Sequence, residues 1–240
     1  MKSIAILNTD TIPAELARVH GQYPDMFIRC LSALNNDIEF VRFDVNRDEY
    51  PSDWQTFSGV LITGSQSAAY DQDPWINRLQ ACIRELYRQQ IPLVGICFGH
   101  QVIHQALGGQ VQKAAQGWCV GIHQNRLTCD IEGLGNQGQL LSLLSSHQDQ
   151  VVAMAPGSKL LASTPYCPIA ATYWNETVLT FQGHPEFTRD YAQALMDKRR
   201  TDIGESTYRA AVESMSQPLD DVPVLRRMLH VLTQGSRVFL

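Results

Sequence analysis

A short apolar run, Pro92-Leu93-Val94-Gly95-Ile96, stops at a cysteine and gives way at once to a helical pattern from Phe98 to Leu107. A glycine stands two residues to either side of Cys97. So abrupt a strand-to-helix turn leaves no room for side chains at the flanking positions, and glycine removes the Cβ. A buried strand followed directly by a helix predicts a doubly wound α/β sheet with parallel central strands.

The flanking pattern agrees. Residues 3–8 read as a buried strand, 13–34 as helical, 38–45 and 59–63 as strands, and 75–90 as a helix opened by Pro74. Ile76, Leu79, Ile83 and Leu86 lie on one face of that helix. Beyond Gly108-Gly109 the pattern changes to short strand candidates at 119–128, 150–154, 159–164, 168–173 and 177–182. Turn signals at Pro156-Gly157 and Asn175-Glu176 separate some of them, which predicts an antiparallel extension of the same sheet. Residues 188–214 and 222–233 read as helices. The 240 residues suit one large domain, with a body over 1–190 and a helical extension over 191–240 packed on it.

Cys97 has the setting of a nucleophile. Its sulfur would sit at a helix N-terminus, where the dipole and free N–H groups favour an anion. The N–H of Phe98 is placed to donate into an oxyanion hole. The competing interpretation is a buried cysteine between two packing glycines, and for the other five cysteines a buried, inert role is preferred. No pair forms a CxxC, so zinc-knuckle and thioredoxin chemistry are excluded. The candidate base is His184, after the apolar strand Val178 to Phe181, with Glu186 two residues on to fix its tautomer. His100 and His104 share a helix face, but His100-Gln101-Val102-Ile103-His104 lacks the glutamate of HExxH and a third ligand, so both read as packing or hydrogen-bonding residues.

Together these residues resemble the class I, or triad, glutamine amidotransferase family. Gly95-Ile96-Cys97-Phe98-Gly99-His100-Gln101 is close to that family's G-[IV]-C-[FYL]-G-x-Q, and Gly183-His184-Pro185-Glu186 to its HPE signature. Leu61-Ile62-Thr63-Gly64-Ser65 lies where the family has its oxyanion strand and loop, and Ser146-His147-Gln148-Asp149 resembles its glutamine-binding segment. The resemblance covers roughly residues 1–190 and implies a flavodoxin-like three-layer sandwich, with a mostly parallel central sheet and helices on both faces. It implies that Cys97 attacks the side-chain amide of glutamine and that His184, oriented by Glu186, protonates the leaving amine. The N–H groups of Phe98 and Ser65 would hold the oxyanion. Gly64, Gln101 and the backbone of Gln148 and Asp149 would bind the glutamyl group. Two departures stand out: Gly64-Ser65-Gln66 replaces the family's common Gly-Gly-Pro, and Gln148 replaces its common glycine. Both, with Asp73-Pro74-Trp75-Ile76, are more like stand-alone members such as γ-glutamyl peptidases, while the whole pattern is also similar to the amidotransferase domain of GMP synthase.

No ATP loop or dinucleotide fingerprint follows. Three functions stay open: a glutaminase subunit handing ammonia to a synthase partner, a stand-alone γ-glutamyl hydrolase or peptidase, and a catalytically quiet binding module. A cysteine protease of the same broad fold fits less well, since those relatives lack the HPE pair. The substrate expected is glutamine or a γ-glutamyl small molecule, with no metal and no organic cofactor. A formal charge of −5 without a basic block argues against nucleic acid. The absence of a long apolar run argues against a membrane, and the absence of a signal-peptide pattern predicts the cytoplasm.

Overall fold

The computed structural model describes residues 2–234; Met1 and the end of the expected extension, 235–240, lie outside the described residues. Alternating strand and helix patterns build the first half: β1 (Lys2–Asn8), α1 (Ala14–His20), α2 (Tyr23–Ser32), β2 (Ile38–Asp44), β3 (Gly59–Ile62), α3 (Pro74–Arg88), β4 (Leu93–Ile96) and α4 (Phe98–Ala106). Then follow β5 (Gln110–Lys113), β6 (Cys119–Leu127), β7 (Leu140–His147), β8 (Asp149–Ala153), β9 (Lys159–Ser163), β10 (Ala171–Trp174) and β11 (Val178–Phe181). The helices α5 (Arg189–Lys198), α6 (Arg200–Ile203), α7 (Glu205–Ser214) and α8 (Asp221–Gln234) complete the described chain.

One sheet runs in the order β2-β1-β3-β4-β11-β10-β9-β6-β7. Its first five strands are parallel and the rest join antiparallel. Strand alternation sorts side chains onto two faces. Ile4, Ile6, Leu61 and Val94 pack beneath Phe27 and Leu31 of α2 and Val224, Met228 and Leu232 of α8. Ala5, Leu7, Val60, Ile62 and Leu93 meet the expected face of α3, Ile76, Leu79, Ile83 and Leu86, together with Val102 and Ile103 of α4. The result is the expected three-layer α/β sandwich with its antiparallel flank. Among the described residues no helix is long and apolar enough to cross a membrane.

The structure refines several expectations. The helix expected over 13–34 is broken at Gly21 (φ 83°), and Gln22 starts the second piece with a capping box to Asp25. The helix expected over 188–214 divides at Arg199 and at Gly204 (φ 83°). The 150–154 candidate leaves the main sheet: β8 instead pairs with β5 as a separate two-stranded ribbon. Neither β5 nor β7 was expected; the former has a single buried residue, and the latter is seven-eighths serine and leucine, without β-branched residues.

Helix α4 is tied to the sheet through a buried polar chain. The Ala155 N–H donates to Nδ1 of His104 (2.9 Å), so Nε2–H of His104 faces Thr172 Oγ1 (2.9 Å). The chain continues from Thr172 to Thr180 (2.6 Å), from Thr180 to Nδ1 of His100 (2.7 Å), and from His100 Nε2 to the Ile169 carbonyl (3.1 Å). One end can only donate and the other only accept, which sets a single direction for every proton. Both imidazoles are thereby satisfied in the neutral form; burial pulls His104 down to about 4 and His100 well below the ordinary histidine value.

Candidate active site

Cys97 caps α4 with φ 54° and ψ −105°, a strained conformation for a residue with a side chain. The neighbouring glycines explain how the turn fits. A Cβ on Gly95 would lie 2.5 Å from the Gly99 carbonyl oxygen, and one on Gly99 would lie 2.3 Å from that of Ile62. The Cys97 N–H donates to the Phe181 carbonyl (2.8 Å) and the Gly99 N–H to that of Thr63 (3.1 Å), stitching the elbow to β11 and to the end of β3.

The end of β11 brings His184 to this elbow. Its N–H donates to the Leu144 carbonyl (2.8 Å), and its Nδ1 lies 2.7 Å from Oε1 of Glu186. Both side chains are buried. The ring of Phe187 stacks on the imidazole at 3.8 Å between centroids. With Nδ1 engaged by Glu186, Nε2 is left for the sulfur. Burial alone pulls His184 down, but the Glu186 carboxylate and then the Cys97 sulfur outweigh it and push the imidazole up to about 10. Among the described residues the second oxygen of Glu186, Oε2, is buried without a hydrogen-bond partner.

Gly64 stands against this pair: a Cβ there would lie 3.2 Å from Cε1 of His184 and 3.7 Å from Cβ of Cys97. Among the described residues the N–H groups of Ser65 and Phe98 donate to no protein acceptor. They are free for a developing oxyanion. The Ser65 loop is held from outside by Asp10, whose Oδ2 accepts the Gln66 N–H (2.9 Å). Thr9 Oγ1 donates to the Gly64 carbonyl (2.7 Å).

Cys97 opens into a cavity of about 370 Å³ lined also by Ser65, Tyr70, Gln101, Lys113, Trp118, Ser146, Gln148, Asp149 and Arg199. Gln101, Gln148 and Asp149 therefore share one wall. Gln101 has a structural task as well, since its Nε2 donates to the Asp149 carbonyl (2.8 Å) and to Gln182 Oε1 (3.1 Å), fixing the β7–β8 turn. Trp118, Tyr70 and Asp10 carry no local motif, and they meet only through the fold. Arg199 belongs to the run Lys198-Arg199-Arg200, which reads from the sequence as an exposed helix face; the structure instead half-buries it in this lining. A larger depression of about 720 Å³ on the antiparallel flank contains none of the candidate residues. Among the described residues no cluster of three or more His, Cys, Asp or Glu is placed to hold a metal ion.

The chain is similar to several known proteins. The family model described as glutamine amidotransferase class-I matches residues 17–199. A provisionally named glutamine amidotransferase of Saccharomyces cerevisiae is 36% identical over 207 residues, covering 80% of this chain and 82% of its own. Gamma-glutamyl peptidase 2 of Arabidopsis thaliana is 27% identical, with 75% of each chain covered. Among solved structures, a glutamine amidotransferase from Thermotoga maritima superposes with a TM-score of 0.76 over 98% of this chain and 99% of that one. At 16% identity that likeness speaks to the fold alone.

Proposed function

The chain belongs to the class I glutamine amidotransferase family, and on that premise we propose that it hydrolyses γ-glutamyl amides, glutamine among them, through a thioester on Cys97. The observation that supports this most is the meeting of Cys97, on a strained elbow that lines the cavity, with the buried His184–Glu186 pair. Cys97 Sγ attacks the γ-carbonyl carbon, and the carbonyl oxygen takes up the negative charge between the Ser65 and Phe98 N–H groups. An imidazolium beside a sulfur is a setting in which thiols react as thiolates. As the C–N bond breaks, His184 gives its proton to the departing amine. It then takes a proton from the water that attacks the thioester, and glutamate leaves with the thiol restored. Glu186 holds the ring and balances its charge throughout. Gln101 and the backbone of Gln148 and Asp149 bind the glutamyl end.

The same reading assigns the chemistry to residues 1–190, makes 191–240 a helical extension of the same domain, requires no cofactor and places the enzyme in the cytoplasm. It has two versions. A glutaminase subunit passes ammonia to a synthase chain; a stand-alone γ-glutamyl peptidase needs no partner. The second is favoured by the likeness to gamma-glutamyl peptidase 2 over 75% of both chains. Glutamate release from glutamine, glutathione and a γ-glutamyl dipeptide by the purified chain separates them. Turnover should fall by at least about 10³-fold in Cys97→Ala. Release from none of the three would favour the quiet binding module.

A further inference from the structure

The Cys97 cavity is lined by charges of both signs. The Asp149 carboxylate accepts from the Tyr70 hydroxyl (3.2 Å) and sits in register with Lys113 across the β5–β8 ribbon, so its charge is answered. Arg199 lines the same cavity, half-buried where α5 ends. Its Nη1 donates to Ser146 Oγ (3.1 Å), and its guanidinium lies 5.4 Å from the centre of the Trp118 ring. Among the described residues no carboxylate forms an ion pair with it. Asp10 is close enough to feel its charge, but both Asp10 oxygens are taken, by the N–H groups of Thr11 (2.7 Å) and Gln66 (2.9 Å). Arg199 thus presents a guanidinium fork, braced by an indole and a hydroxyl, to the space above the nucleophile. A planar fork of donors is matched to a carboxylate.

Trp118 also walls a second cavity of about 260 Å³, which continues over Val120, Tyr166 and Ala211. The reacting cavity and this groove therefore share a side chain at the position where Arg199 stands. A pocket built for the amide of free glutamine has no use for such a continuation.

We propose that Arg199 and Trp118 form a leaving-group subsite, which docks the carboxylate of an amino acid or short peptide joined through its amine to the γ-glutamyl carbonyl. The inference rests on the thioester reading above and names the substrate class within it. With the glutamyl end on Gln101 and Asp149 and its carbonyl at Cys97, the group on the scissile nitrogen falls to Arg199 and Trp118, where the lining is shared with the second cavity. The carboxylate of a γ-glutamyl amino acid lies a few bonds beyond that nitrogen, whereas glutamine carries nothing there. Cys97 Sγ displaces the amine, which leaves with the proton from His184; water then cleaves the thioester C–S bond, and the products are glutamate and an amino acid or peptide rather than ammonia. Arg199 acts on specificity: it touches the substrate but not the reacting atoms.

The test compares γ-glutamylglycine with its neutral counterpart γ-glutamylglycinamide. In the wild-type chain kcat/KM should favour the carboxylate by at least about tenfold, the weight of a charge-assisted hydrogen-bond pair. In Arg199→Met that ratio should fall to about one, with Arg199→Lys between the two. An unchanged ratio in Arg199→Met overturns the proposal. So does an equal loss on both compounds, which would place Arg199 at the glutamyl end or in the fold. Calorimetric binding of the two compounds to Cys97→Ala, with and without Arg199→Met, gives the same comparison without turnover. Carboxylate-selective binding that depends on Arg199, without cysteine-dependent turnover, would sink the thioester reading and leave the subsite. Turnover that depends on Cys97 but ignores the carboxylate would do the reverse.

Discussion

Asp10 receives the Gln66 backbone N–H at 2.9 Å, so a residue at the end of the first strand sets the shape of the loop that offers the Ser65 N–H. Its other oxygen accepts from Thr11 at 2.7 Å. Burial raises its pKa, and the two backbone donors act against that rise. Replacing Asp10 by alanine removes the loop's tether without touching Cys97. We expect kcat to fall by roughly 10- to 100-fold, a smaller loss than for a nucleophile. Thermal unfolding should show a change of only about 1–2 kcal/mol. A rate equal to wild type would show that the loop holds its shape unaided.

Gly99→Ala tests the elbow. The new Cβ would meet the Ile62 carbonyl oxygen at 2.3 Å, and backbone cannot swing aside as a side chain can. The expected cost is about 3 kcal/mol or more, with loss of thiol reactivity toward a γ-glutamyl affinity label. Denaturant midpoints check the first and labelling rates the second.

The His184–Glu186 pair gives a pH signature. Folded His184 is raised to about 10 from 6.5, so its contribution to stability is complete below pH 6.5 and is lost as pH rises through 10. Glu186→Gln removes the carboxylate that holds it up. The stability gap between wild type and Glu186→Gln should therefore narrow steadily from pH 6.5 to 10. Turnover should drop by about 10²-fold or more, as it does when an orienting carboxylate is neutralised elsewhere. A gap independent of pH would show that His184 is not the charged partner.

Acid should act through other histidines. His104, His147 and His100 are depressed, to about 4, to about 3 and well below the ordinary value, chiefly by burial. They are neutral in the fold but take up protons when unfolded, so stability is lost as pH falls below 6.5. From pH 6.5 to 5.5 the three together cost about 3 kcal/mol. Urea unfolding at the two pH values measures this, and a His104→Gln variant should show about a third less.

Much of this was readable in advance, for physical reasons. The parallel half was legible because its central strands β3 and β4 are buried on both sides and α3 is amphipathic: the apolar face of α3 reads residue by residue. Gly95 and Gly99 were legible because close backbone approach leaves glycine little alternative. The antiparallel flank was harder. A serine- and leucine-rich β7 has no β-branched signature, and the departure of β8 into a ribbon depends on β5, itself hidden by polar residues. Arg199 and Trp118 are more than eighty positions apart in the chain, and nothing short of the fold brings them over the same cavity.

Helix α8 packs on β3 and β4, the two strands that lead into the Ser65 loop and the Cys97 elbow, and the Leu232 backbone lies against the α-carbon of Gly59. A polypeptide emerging from the ribosome delivers those strands long before it delivers the helix that covers them. The Cys97 elbow therefore exists as a covalent fact well before it exists as a geometric one. Nascent and prematurely terminated chains carry Cys97 before they carry the helix that covers the strands beneath it.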